Sequence, residues 1–241
     1  MEGNPMKRFN KKVIKFHAVN KHVMEVRPKP QPASFFMPEW WKKMEPYVNG
    51  KYDVSPASTV TAKKCFPLLD GLTTGYIVPL WSDVLVKKDI DGSPLIKWAT
   101  QIDVLDTWPA HQSKGFEIPE NHHSMVFKYL HEWIIETPKG WSCLITHPIG
   151  FQNLPFKVIS GVVDTDKLKT LINTPFVVKD GYEGIIEKGT PMFQIIPFKR
   201  ENWKAEYHTK KENEVFYDHE KLMSKLVSSY GRFLRVKKNY D

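Results

Sequence analysis

Nine histidines are the residues of this chain whose chemistry first asks for an account. Five of them, His111, His122, His123, His131 and His147, crowd the middle of the sequence, with Glu132 and Glu136 among them. Two histidines and a carboxylate on neighbouring strands would hold a non-haem iron or manganese ion with open positions for substrate. On a strand the paired ligands of such a set stand two residues apart, because positions i and i+2 share a face. No histidine here is followed two positions later by Asp or Glu. His111, His122, His123, His131, His147 and Glu132 are therefore metal candidates that lack the spacing to unite them.

Cysteine chemistry is equally sparse. Cys65 and Cys143 are the only two thiols and lie far apart, so reduced side chains in a reducing compartment are expected. Cys143 precedes His147 by four residues, but a nucleophilic thiol needs a base and an electropositive pocket. The phosphate-loop, dinucleotide-binding, zincin and nucleophile-elbow signatures are all missing. The short run Gly161-Val162-Val163-Asp164 is similar to a segment of trimeric dUTPases, yet their phosphate motif has no match here.

Another pair of residues points to binding. Trp40 and Trp41 are adjacent within residues 26–44, a stretch that also holds Pro28, Pro30, Pro32 and Pro38. Each proline fixes its own φ and restricts its predecessor, so the segment is expected to be an extended arm. Neighbouring residues cannot share one helix face. One indole is expected to pack on the core while the other stays partly exposed, which makes Trp40 and Trp41 the partner-binding candidates.

The elements that must carry these residues read mainly as β-strands. With 241 residues, 41% of them hydrophobic, the chain suits one substantial core rather than a disordered polymer. Residues 124–198 alternate dense β-branched and aromatic runs with Gly, Pro and Asp turns, as in an antiparallel sandwich. Gly140, Gly161 and Gly189 stand at junctions of runs and turns, where positive φ or close backbone approach is expected. The pair Asp91-Gly92 predicts a hairpin turn. Lys11 to Glu25 and Ser58 to Lys64 read as strands, Cys65 to Leu72 as an apolar turn, and Asp106 to Asn121 as a long loop. Asp218 to Gly231 reads as a helix, followed by a basic tail. The expected fold is a mainly β sandwich or a double-stranded β-helix (cupin-like) barrel. It forms one domain: an arm and first strand over 1–57, a β core over 58–200, and a helix and tail over 201–241.

The net charge of +8 is concentrated at the ends: residues 1–51 carry eleven Lys/Arg against four Asp/Glu, and residues 199–241 eleven against seven. Such termini could meet nucleic acid or an acidic partner. No apolar run is long enough to span a bilayer, and no signal-like segment follows Met1, so a cytoplasmic location is expected.

Several short runs carry a resemblance. They are Lys64-Cys65-x-Pro67, Gly75-Tyr76, Thr137-Pro138-x-Gly140-Trp141-Ser142, Gly161-Val162-Val163-x-Thr165-Asp166, Asn173-x-Pro175-Phe176 and Lys188-Gly189-x-Pro191. Together they resemble a domain family of unknown function found in bacterial and tailed-phage genomes. The resemblance implies host cytoplasm or virion association and supplies no catalytic residues. The leading expectation is a phage-type, non-catalytic binding or virion-associated protein. The alternative is a small-ligand enzyme with a barrel site, most plausibly a non-haem iron oxygenase.

Overall fold

In the computed structural model, residues 12–48, 59–208, 230–231 and 235–241 are described. Among them are fourteen strands in four sheets, and every pairing is antiparallel. A five-stranded sheet runs β11 (Gly161–Val163), β9 (Trp141–Thr146), β14 (Pro191–Lys199), β3 (Tyr76–Pro79) and β2 (Gln31–Pro32). A four-stranded sheet runs β10 (Phe156–Val158), β12 (Thr174–Lys179), β7 (His122–Tyr129) and β6 (Leu105–Thr107). Smaller sheets join β13 (Gly184–Ile186), β4 (Val84–Lys88) and β5 (Pro94–Trp98), and pair β1 (Lys15–Ala18) with β8 (Trp133–Glu136).

The core lies between the inner faces of these sheets. Val78, Phe193 and Ile195 of the five-stranded sheet form one buried cluster with Phe127, Tyr129, Phe156 and Phe176 of the four-stranded one. Tyr129 meets Phe193 edge-on across that boundary, with ring centroids 6.3 Å apart, the geometry favoured by the aromatic quadrupole. The mainly β class holds and a sandwich accommodates the layering. The cupin-like barrel does not, because no sheet closes on itself among the described residues. Short strands ending at Gly- and Pro-rich turns leave free edges where a barrel needs continuous pairing.

Local readings fared unevenly. The hairpin at Asp91-Gly92 forms as expected: Lys88 pairs with Pro94, and Gly92 adopts φ +86°. The first strand is shorter than expected and gives way to helix α1 (Lys21–Val26). Asn20 starts it, its side-chain oxygen accepting from Val23 N at 2.9 Å, a capping bond that outweighs valine's preference for strands. Residues 62–64 are a 3-10 turn rather than part of a strand, with Thr61 as its cap. The apolar turn near Cys65 is helix α3 (Phe66–Thr73), counting α2 (Glu39–Lys43) before it, and Pro67 sits in its first turn, where its missing N–H costs nothing. The helix expected near Asp218 lies outside the described residues, apart from Tyr230 and Gly231.

The proline-rich arm docks on its own core. Its β2 extends the five-stranded sheet by pairing with Tyr76 and Ile77. Ala33, next in line, is buried and donates its N–H to Gly75 O at 3.0 Å. A side chain at Gly75 would sit inside the van der Waals shell of the Ile195 carbonyl, and φ is +67°. Only glycine lets β3 approach β14 there. Gly140 and Gly189 adopt positive φ as expected, whereas Gly161 has ordinary strand geometry in open space.

Candidate functional site

The histidines do not gather. His111 lies exposed in the loop before β7, and His122 and His123 open that strand. His122 Nδ1 lies 2.8 Å from Glu120 O, and His123 Nδ1 accepts from Met125 N at 3.1 Å. His131 is buried between β7 and β8, with both ring nitrogens used. Its Nδ1 accepts from Trp133 N at 3.2 Å, and Nε2, as the protonated nitrogen, donates to Ile172 O at 2.6 Å. His147, beyond β9, repeats the arrangement: Nδ1 accepts from Val158 N and Nε2 donates to Phe151 O. Burial pushes both rings down to about 4. Neither keeps a lone pair for a metal.

Glu132 faces a different partner. It stands at φ +58° and accepts from Arg27 Nε at 3.1 Å. Arg27 Nη2 is also 3.1 Å from the same oxygen, but too poorly aimed for a hydrogen bond. The guanidinium stacks 3.2 Å from the centroid of the Trp81 ring. Glu136 binds Lys15 and His17 at the surface. Among the described residues no group of three His, Cys, Asp or Glu could hold a metal ion.

The cysteines are no closer to catalysis. Cys65 is exposed. Cys143 is buried, its thiol is pushed up to about 11 by desolvation, and its polar neighbour is Thr165 Oγ1 at 3.4 Å. A thiol so placed stays protonated.

The motif residues at 137–142 and 161–166 form a polar clamp instead. Asp166 accepts from Gly140 N at 2.8 Å and receives two bonds from Arg200, at 2.7 and 2.5 Å. Arg200 also donates to Trp141 O and Ser142 Oγ, and Ser142 in turn donates to Asp164 at 2.7 Å. The Arg200 guanidinium, followed by the Gly140 amide, holds the Asp166 carboxyl far below the usual range. Thr137 and Thr165 bond hydroxyl to hydroxyl at 2.7 Å in the interior. The cluster ties the β8–β9 turn and the end of β11 to the end of β14, and it leaves Asp166 fully engaged in structure. Arg200 was not among the sequence candidates; its signal was faint, a lone arginine closing a strand.

Gln194 is a second omission. Its side chain is buried in β14, where it accepts from Ile149 N at 2.8 Å and donates to Thr74 O at 2.6 Å. A glutamine inside Met192-Phe193-Gln194-Ile195-Ile196 was the available clue, since a buried amide needs partners.

The tryptophans divide as expected. Trp41 is 5% exposed, and Lys63 donates to its carbonyl and lies over its ring. Trp40 stays 39% exposed while its Nε1 donates to Gly150 O at 2.7 Å. Gly150, at φ +86°, leaves room for Leu72, Pro38 and Trp40 around it. Trp40 is thus a braced ring with one open side, and Trp41 is core.

A further feature of the described residues is a groove of about 570 Å³. Tyr76, Trp141, Pro138, Pro197 and Tyr240 form its walls, with Lys12, Lys237 and Lys238 also lining it. The C-terminal tail builds one side. Asp70 of α3 holds Arg235 (2.7 and 3.1 Å) and Lys238 (2.8 Å), while Tyr240 bonds Thr74 Oγ1 at 2.8 Å and meets Tyr76 edge-on. No helix among the described residues is long and apolar enough to cross a membrane. No protein-family model and no curated protein matches the chain.

Proposed function

We propose that this chain is a non-catalytic binding protein of the tailed-phage type, working through aromatic side chains held outward on segments fixed to a rigid β core. The observation that carries this reading is the stretch 201–208, which follows β14 and is exposed at every residue. Within it Trp203 is 88% and Tyr207 95% exposed. Large aromatics in water gain nothing for the fold, and they are the residues that most often anchor interfaces. Trp40 adds a third outward ring, braced by Gly150. The phage connection rests on the motif resemblance, and virion association and host cytoplasm follow from it. The basic termini offer a surface for nucleic acid as a secondary contact.

The groups with strongly shifted proton affinity support the same reading. His131, His147 and Cys143 are shifted by burial and bonded to backbone or a hydroxyl, rather than poised in a cleft as catalytic groups are. The test places a photo-crosslinking amino acid at position 203, and separately at 40, in the producing cell. A discrete adduct from either position, absent from the control position Lys139, is expected. Absence of adducts from both would overturn the reading, and one equivalent of iron in protein purified without chelator would then favour the oxygenase.

A further inference from the structure

We propose that residues 201–208 dock into the groove beside Trp141 and Tyr240 of a second copy of this chain, making a reciprocal dimer. The inference rests on the binding reading above and names its partner. The segment alternates: Trp203, Ala205 and Tyr207 are apolar, while Lys204, Glu206 and His208 are polar. The polar set lies on one side, since Glu206 is 3.0 Å from Lys204 Nζ and 3.6 Å from His208 Nε2. Ion pairs between residues i and i+2 are what an extended backbone produces. The opposite side, carrying both rings, has neither strand nor helix to meet it within the segment.

The groove suits such an occupant. Its walls are aromatic and proline side chains, and 570 Å³ accommodates two aromatic rings with the backbone between them. Lys12 and Lys237 of the lining are complementary to Glu206 of the segment, whereas Lys238 is engaged by Asp70, Glu201 by Lys199, and Asp241 also lines the groove. The start of the segment is fixed, because Arg200, just before it, is clamped to Asp166. A rigid base lowers the ordering cost of docking.

Area argues for a reciprocal pair. Eight extended residues reach about 26 Å and bury on the order of 1,000 Å² of total surface, below the ~1,200–2,000 Å² of stable complexes. Two-fold exchange doubles that figure, because each copy offers one segment and one groove.

The experiment is sedimentation equilibrium of the full chain across micromolar concentrations, with and without substitution. Wild type should sediment at twice the 28.1 kDa chain mass. Trp203→Ala/Tyr207→Ala should weaken the dimer about 100-fold or more while the melting temperature stays unchanged. Val13→Asp, at an exposed residue of the groove lining, should weaken it independently. The photo-crosslinker at 203 should yield a dimer adduct joined to residues 136–141 or 236–241. A wild-type monomer at every concentration, or a dimer indifferent to these substitutions, overturns the inference. An adduct with a different protein likewise overturns it but leaves the binding reading standing, whereas a monomer with no adduct from 203 or 40 removes both.

Discussion

His131 and His147 show how a ring suited to metal or acid–base chemistry is diverted to structure. Each accepts one backbone N–H and donates to one carbonyl, which fixes a neutral tautomer. Their folded pKa values, near 4, lie below the ordinary histidine value of about 6.5. Between those limits the unfolded chain binds more protons, so stability falls as pH drops from about 6.5 toward 4. The loss is on the order of 3 kcal/mol per ring at the lower limit. Asp70 and Asp166, whose carboxyls are held down by arginine, contribute stability that begins to be lost as pH falls through the ordinary Asp value of about 3.9 and continues below it, so their window follows that of the rings. Urea unfolding at a series of pH values checks this, and a flat profile between pH 6.5 and 4.5 would show that the rings are not sealed as described. At the glycines, Gly75→Ala should be far more damaging than Gly161→Ala, because only the former meets backbone. Gly140→Ala and Gly189→Ala should each cost roughly 1–2 kcal/mol from left-handed backbone strain alone. Thermal melts of the four variants give the ranking.

At the level of elements, β14 is the spine. It pairs with β3 on one side and β9 on the other, and Met192, Phe193, Gln194 and Ile195 are buried in succession. Four consecutive buried positions mean that both faces of the strand are covered, which strict alternation would not reveal. Phe193→Ala, or Trp133→Ala in β8, should cost about 3–5 kcal/mol. A urea midpoint unmoved from wild type would place either residue outside the core. Trp40→Ala in α2 should be milder for the fold, because the ring is partly in solvent, yet it removes the bond to Gly150. The expected outcome is a small fall in melting temperature, read from a thermal melt against wild type.

For the whole molecule, two Arg–Asp clamps hold the C-terminal part of the chain to the sandwich. Arg200 and Asp166 close β14 against the β8–β9 turn, and Arg235 with Lys238 ties the tail to Asp70 on α3. Bidentate guanidinium–carboxylate pairs give direction as well as attraction. Asp70→Asn should therefore loosen residues 235–241 and open one wall of the groove without unfolding the core. Trypsin cleavage after Lys237 and Lys238 should speed up several-fold while the main melting transition persists. Unchanged cleavage would mean that the ring contacts of Tyr240 suffice to hold the tail.

The sequence by itself determined the mainly β class, the Asp91-Gly92 hairpin, the densely packed region 124–198 and the unequal burial of Trp40 and Trp41. These follow from short-range chemistry: β-branched and aromatic runs, turn residues with positive φ, and two neighbours that cannot face one way. Tertiary structure decided the rest. Whether His131 was a ligand or a sealed ring depended on the Ile172 carbonyl, 41 positions away. Asp166 became a clamp only because Arg200 arrives from the end of another strand. The choice between sandwich and barrel depended on which edges meet, and alternation along one strand is blind to that. Local preference was overruled where a single bond sufficed, as Asn20 turned a valine-rich stretch into helix. Long-range partners leave almost no trace in local pattern, so the polar network and the groove became visible only when the sheets were assembled.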